Sequence, residues 1–312
     1  MNKPTWRSIV APAIVAAIVL CGCSGRQPAP PPALGPITAV TSPEQIARPI
    51  DPYLATATQA RELSEAAQMV TAQCVKGYGL PPVAATTTDF QNLALQNKAR
   101  NELFGFFDPA VTATKGYDVF VSRPGGQTRP SAAQMSVLNG QSENGSVVAS
   151  YRGRPVPAGG CHQVGLDAVG GWPPAPGTSN VLPDHGPAIP ISDPRVVAKD
   201  KQWSACMKSA GYTYATPADA YADARWRKLP GGQQQQAEFV KSVEIPTAEA
   251  DLKCKQATDY MGLAIAAQSA YDAQYIASHT SALAAYKQRL DADVTKAEHV
   301  IAAAGSSSGT TG

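Results

Sequence analysis

Apolar positions recur at three- and four-residue spacing in several stretches of the chain, and these stretches predict a mainly α-helical body. Leu63, Ala66, Ala67, Val70 and Cys74 mark a helix from about Ala55 to Lys76, stopped at Gly77-Tyr78-Gly79. Thr88-Asp89 opens a second helix that runs through Leu103. Val196, Val197, Trp203 and Met207 form the apolar face of a helix from Pro194 to Gly211. Thr216-Pro217-Ala218-Asp219 joins a capping threonine, a proline at the first helical position and an acid in the first turn. That helix runs to about Leu229 and is broken at Pro230-Gly231-Gly232, after which Gln233 to Gln236 starts another. From Ala248 to Ala304 the chain has no proline and one glycine, Gly262, which predicts one long helix of about 85 Å.

The distal half of that helix carries a narrow apolar seam: Ile276, His279, Leu283, Tyr286, Leu290, Val294, Ala297 and Ile301. The spacing is close to a coiled-coil repeat, with Lys287, Arg289, Asp291, Lys296 and Glu298 on the polar side. Such a stripe must meet something. The chain's own first helix is one choice. The other is a second copy or another protein, which makes Ile276, Leu283, Tyr286 and Leu290 candidate partner-surface residues.

Residues 116–194 differ in texture. With 13 glycines and 11 prolines in 79 residues, they predict an irregular segment holding one helical piece, Ser131 to Leu138, and a short strand at Ser146 to Tyr151.

Composition narrows the function classes. Charged residues make up 16% of the chain and the formal net charge is +2, with no basic cluster of the kind that nucleic-acid binding needs. Lys3 and Arg7 precede a 12-residue apolar run, Ile9 to Leu20, too short to span a bilayer but suited to a signal peptide. The run ends in Leu20-Cys21-Gly22-Cys23-Ser24, which resembles a bacterial lipobox with Cys23 as the lipidated first residue of the mature chain. An uncleaved anchor and a plain secretory signal are the alternatives. Removing residues 1–22 takes away Lys3 and Arg7 and no acid, so 26 − 2 = 24 bases face 24 acids and the mature net charge is zero. Attachment to membrane therefore falls to lipid on Cys23, and stable anchoring takes two acyl chains, as a diacylglyceryl thioether supplies.

The expected layout is a signal peptide at 1–22, a Pro-rich tether at 23–53, a helical body at 54–304 and a flexible tail at 305–312. Eight prolines between 24 and 52 suggest a polyproline II tether reaching up to about 90 Å.

Outside residues 1–23 there are four cysteines: Cys74, Cys161, Cys206 and Cys254. An even number in an extracytoplasmic chain argues two disulfides, and no spacing resembles a zinc site. Four cysteines allow three connectivities. Cys74-Val-Lys-Gly-Tyr-Gly79 and Cys206-Met-Lys-Ser-Ala-Gly211 echo each other as helix ends, with Lys two and Gly five residues after the Cys. Pairing each helix-end Cys with the next one downstream gives Cys74–Cys161 and Cys206–Cys254.

The same segments resemble a group of actinobacterial cell-envelope lipoproteins with no established activity. The matching pieces are Cys74 to Gly79, Asn101 to Phe106 with Gly116-Tyr117, Val156 to Cys161, Trp203 to Met207 with Gly211 to Tyr214, and Ala250 to Lys255. They lie between about residues 60 and 290, and the chain departs from the group's pattern at Cys161-His162-Gln163. The resemblance implies location on the extracytoplasmic face of the cell membrane and a disulfide-stapled helical fold, and no chemistry.

Catalytic grammar is absent: no Ser-x-x-Lys, His-Glu-x-x-His, Walker loop or Gly-x-Gly-x-x-Gly occurs, and Gly140 to Gly145 is one residue too long for a nucleophile elbow. His185 belongs to a loop and His279 to the apolar seam. Cys161-His162 would suggest an activated thiol, but cysteine parity favours a disulfide there. Trp203, Tyr212, Tyr214, Tyr221 and Trp226 form either a small-domain core or an aromatic glycan platform. The expectation is a lipid-anchored envelope protein with a structural or partner-binding role, without catalysis, cofactor or metal. A ligand- or glycan-binding lipoprotein using the region around Trp203 and Trp226 is the alternative, and a cell-wall enzyme the third choice.

Overall fold

Side-chain caps start many of the helices where the sequence places them. Thr56 and Gln59 form a capping box before α1 (Ala57–Gly77). Asp89 caps α2 (Phe90–Ala99), Asp108 caps α3 (Pro109–Lys115), and Ser131 with Gln134 boxes α4 (Ala132–Asn139). The computed structural model describes residues 30–84, 87–117, 130–227 and 238–307. Cys23, the expected signal peptide at 1–22 and Gln233 to Gln236 lie outside the described residues.

Two small antiparallel hairpins interrupt the helices. One pairs β1 (Arg100–Asn101) with β2 (Gly105–Phe106), and the other pairs β3 (Ser150–Tyr151) with β4 (Arg154–Pro155). Then come α5 (Gly160–Ala168), α6 (Pro194–Ser209), α7 (Pro217–Tyr221) and α8 (Ala224–Arg227). A π-turn at Val240–Glu244 leads into α9 (Ile245–Ala257), α10 (Tyr260–Ser278) and α11 (Thr280–Ser307). The fold is mainly helical with a long C-terminal helix and two disulfides, as the pattern predicts.

The predicted 57-residue helix is broken twice. Asp259 takes a left-handed conformation (φ 49°) between α9 and α10, and His279 ends α10 at φ −123° before α11 begins. Within the described part of the helix expected from Thr216 to Leu229 there are two short helices, α7 and α8, separated at Ala222 and Asp223. Within residues 116–194 the expected helical piece is α4 and the expected strand contains β3, while α5 and the pairing strand β4 were not announced by composition. Helix α11 continues to Ser307, past the start expected for the tail at 305, and residues 308–312 lie outside the described residues.

Helix α1 is the hub, packed on one flank by α5 and on another by α11. Its Leu63, Ala66 and Ala67 close a cluster with Val169, Leu290, Val294 and Ala297. The seam therefore meets the chain's own first helix. Leu283 is fully buried and Leu290 nearly so. Ile276, Leu283 and Tyr286 pack with Ile50, Leu54, Leu182 and Tyr275. These four seam residues are thus not a free partner surface, because the hydrophobic drive that required a cover is met within the chain. On the α5 side the approach is close: a Cβ on Gly165 would lie 2.1 Å from Thr71 Oγ1 and 2.4 Å from the Ala67 carbonyl.

The tether also needs correction. The body begins at Pro32, not after Tyr53. Pro43, Ile46, Ile50 and Leu54 are buried, and Leu34 and Val40 pack against the main core. The Arg48 guanidinium forks onto Asp272 of α10 at 2.9 and 2.6 Å, and Lys98 Nζ donates to the Ile46 carbonyl at 3.0 Å. The strap crosses α10 at Gly262, where a Cβ would come within 2.6 Å of the Thr38 carbonyl. Prolines fix its extended path, but the apolar residues between them decide its position.

Gly165→Ala is expected to cost about 1–3 kcal/mol by overpacking, whereas Gly77→Ala, with open space around it, is neutral or slightly stabilising. Urea unfolding of the two variants compares them. Leu283→Glu and Leu290→Glu are expected to lower the thermal midpoint of the chain by many degrees through burial of a charge, with no change in the number of subunits by light scattering.

Candidate functional site

Both disulfides join the cysteines paired by the helix-end echo. Cys74, in the last turns of α1, bonds Cys161 near the start of α5, with Cα atoms 5.5 Å apart. Cys206 of α6 bonds Cys254 of α9 with Cα atoms 5.6 Å apart. The echo is also geometric: Gly79 and Gly211 both have positive φ (71° and 91°), and their amides donate to the Lys76 and Lys208 carbonyls. Neither half of Cys161-His162 is an activated thiol pair, since the sulfur is bonded to Cys74 and the His162 ring meets Trp172 edge-on at 5.1 Å.

Around the second disulfide lies a buried polar cluster that the sequence reading missed. Lys255 and Asp251 are each 1% exposed. Lys255 Nζ donates to Asp251 Oδ2 at 2.8 Å and to the Phe106 carbonyl at 2.6 Å, while Trp203 Nε1 donates to Asp251 Oδ1 at 3.0 Å. Burial pushes the Asp251 carboxyl up to about 6, with Lys255 and Trp203 pulling the other way. Burial likewise lowers the Lys255 ammonium, against the pull of Asp251. Beside them Tyr260 donates to Asp200 Oδ1 at 2.7 Å and to the Leu103 carbonyl at 3.0 Å. The Tyr117 amide donates to Glu244 Oε1 at 2.9 Å. These bonds tie α9, α6 and the β1–β2 hairpin together. The only legible signal was the four-residue spacing of Asp251 and Lys255, which suits an exposed helical pair equally well.

The aromatic group is core rather than platform. Trp203 and Trp226 are fully buried, and Trp226 Nε1 donates to the Ala220 carbonyl at 2.6 Å. Tyr117 lies between Trp226, Tyr221 and Phe106 at ring separations of 5.6, 5.9 and 6.3 Å. A ligand cannot stack on rings already enclosed on their faces, so the binding site expected around Trp203 and Trp226 is not there.

A ligand-sized space lies elsewhere among the described residues. A groove of about 600 Å³ runs along α1 toward α5, walled by Met69, Val75, Leu138, Leu166 and Trp172, with His162 at its edge. Trp172 is 76% exposed. Its sequence signal was a lone tryptophan in Gly170-Gly171-Trp172-Pro173-Pro174, a loop that the helical periodicity passes over.

At the α10–α11 junction, His279 Nε2 lies 3.1 Å from Asp184 Oδ2 and its Nδ1 lies 2.9 Å from Ser278 Oγ. The order of groups superficially matches a hydrolase triad. However, Ser278 Oγ is committed to the Gln274 and Tyr275 carbonyls, and His279 Nδ1 also meets the Tyr275 carbonyl at 2.9 Å. These bonds finish a helix end. Among the described residues no three His, Cys, Asp or Glu side chains gather in a way that would hold a metal ion. No protein-family model, curated protein or solved structure matches the chain.

The buried pair sets a stability prediction. Lys255→Met leaves the Asp251 carboxylate unpaired and is expected to cost about 3–5 kcal/mol. Adding Asp251→Leu is expected to recover part of that loss, which a double-mutant cycle by urea unfolding measures. The parent carries a pH signature as well. The folded Asp251 carboxyl holds its proton to a higher pH than the unfolded one, so its contribution is greatest below about pH 4. It falls as the pH rises toward about 6, and the double variant lacks that decline.

Proposed function

We propose that this protein is a lipid-anchored component of the extracytoplasmic face of the cell envelope, whose helical body has a structural or partner-binding role rather than a catalytic one. The observation that carries the reading is the pair of disulfides, which close sequence separations of 87 and 48 residues. Such bonds form and persist in oxidising compartments outside the cytoplasm. Each restricts the unfolded chain by about 4 kcal/mol in the loop-entropy account, a stabilisation suited to a protein beyond the reach of cytoplasmic quality control. The lipobox-like Leu20 to Cys23 and the resemblance to actinobacterial envelope lipoproteins support the anchor. The side chains argue against catalysis: the buried Lys255 and Asp251 are saturated by each other, Trp203 and a carbonyl, and Ser278 is tied to its own helix.

A second reading, ligand binding, is favoured by one observation, the groove beside Trp172. Its walls are mostly apolar and its volume suits a molecule of drug size. On this reading Trp172 and His162 take the place first expected for Trp203 and Trp226.

Intact mass spectrometry of detergent-extracted protein tests the anchor. The expected chain begins at Cys23 and carries a diacylglyceryl mass. A mature chain beginning elsewhere, or one with an unmodified Cys23 thiol, contradicts it.

A further inference from the structure

We infer that the face of the body around Pro32, with Ile37 and Ile191 projecting from it, rests on the surface of the lipid bilayer. This rests on the proposed lipid at Cys23. The first argument is chain length. Nine residue steps separate Cys23 from Pro32, and an extended chain covers at most about 3.3–3.6 Å per residue, so the anchor reaches no farther than about 30 Å. The approximately 90 Å tether suggested by composition is unavailable because the strap from Pro32 onward belongs to the body.

The second argument is what surrounds the point where the anchor joins. Arg195 Nη2 donates to the Pro32 carbonyl at 3.0 Å and is itself held by Asp193 Oδ2 at 2.5 Å. Ile37 follows Pro32 by five residues and is 55% exposed, while Ile191 precedes Asp193 by two and is 59% exposed. Five residue steps keep Ile37 within about 18 Å of Pro32, and Ile191 lies two residues from Asp193, whose carboxylate shares the Arg195 guanidinium with the Pro32 carbonyl. Their neighbours point inward: Leu34, Val40 and Ile189 pack against the main core. Two large aliphatic side chains, one on the strap that leaves Pro32 and one on the segment that Arg195 ties to it, are thus exposed to solvent.

The third argument is charge. Arg195 is engaged by Asp193, and Lys199 Nζ donates to the Thr258 carbonyl at 2.5 Å. With a mature net charge of zero, the contact is apolar and does not select anionic lipid. Isoleucines at this face insert at the level of the headgroups and hold the body in one orientation, leaving the groove beside Trp172 to other partners.

The test uses the full lipidated chain in phosphatidylcholine vesicles containing a headgroup nitroxide lipid. A fluorophore is placed by Ile37→Cys, Ile191→Cys or Val147→Cys. Val147 is 80% exposed and its neighbour Val148 packs on the other disulfide's cluster, so it serves as the reference. Quenching at 37 and 191 is expected to exceed that at 147 at least threefold, and to be unchanged by anionic lipid or by 0.5 M salt. Equal quenching at all three positions, in protein whose mass shows the diacylglyceryl group, overturns this inference and leaves the anchor standing. Absence of that mass overturns the anchor and this inference with it. Protection of position 191 that grows with protein concentration in a Cys23→Ser chain assigns the face to a second copy and overturns the bilayer assignment.

Discussion

The rest of the body depends on how closely other helices approach α1. Small residues on α1 make this possible: Ala60, Ala66 and Ala67 are buried and present little more than backbone to their neighbours. Gly165 brings α5 against the Ala67 carbonyl, and the Cys74–Cys161 bond fixes the same pair of helices one to two turns away. The other flank takes Leu290, Val294 and Ala297 of α11. Since the interior of a protein is as dense as an organic crystal, a methyl group added at such a crossing displaces a helix rather than a side chain.

The second centre is organised differently. Around Trp203, Trp226 and Tyr117 the core is aromatic and contains ionised groups, held by the Cys206–Cys254 bond and by the hydrogen bonds of Asp251 and Lys255. Apolar residues of similar volume would fill that space at equal or greater stability. What the polar groups add is position: Lys255 reaches the Phe106 carbonyl, Tyr260 the Leu103 carbonyl, and the hairpin between those residues is thereby fixed against α9 and α10. The N-terminal strap then joins the two centres. Its Ile46 belongs to the aromatic core, its Ile50 and Leu54 to the cluster around Leu283, and Arg48 between them is clamped by Asp272.

Where local chemistry decides structure, the sequence was readable. The helix start at Ser131, the capping threonine at Thr216, the aspartate cap at Asp89 and the glycine stops at Gly79 and Gly211 fall where expected. The disulfide pairing followed from the same helix-end grammar. Where tertiary contacts decide, it was not. Helix α5 starts from two left-handed glycines, Gly159 and Gly160, and has one more glycine, Gly165, in its helical interior, a composition that predicts loop. It exists because α1 offers it a close packing surface. The break at Asp259 has neither glycine nor proline to announce it. The strap was misread because its prolines outweighed Ile46, Ile50 and Leu54 in the composition. The groove beside Trp172 depends on the juxtaposition of α1, α4 and α5, which no local pattern encodes.

The account stands on two helix-end cysteines each closing its own loop. Non-reducing peptide mapping of protein isolated from the envelope, with free thiols blocked at lysis, reads this directly. The account predicts two linked peptide pairs, Cys74 with Cys161 and Cys206 with Cys254, and no blocked thiol among these four residues. A Cys74–Cys206 link, or the four cysteines recovered as free thiols, would contradict it.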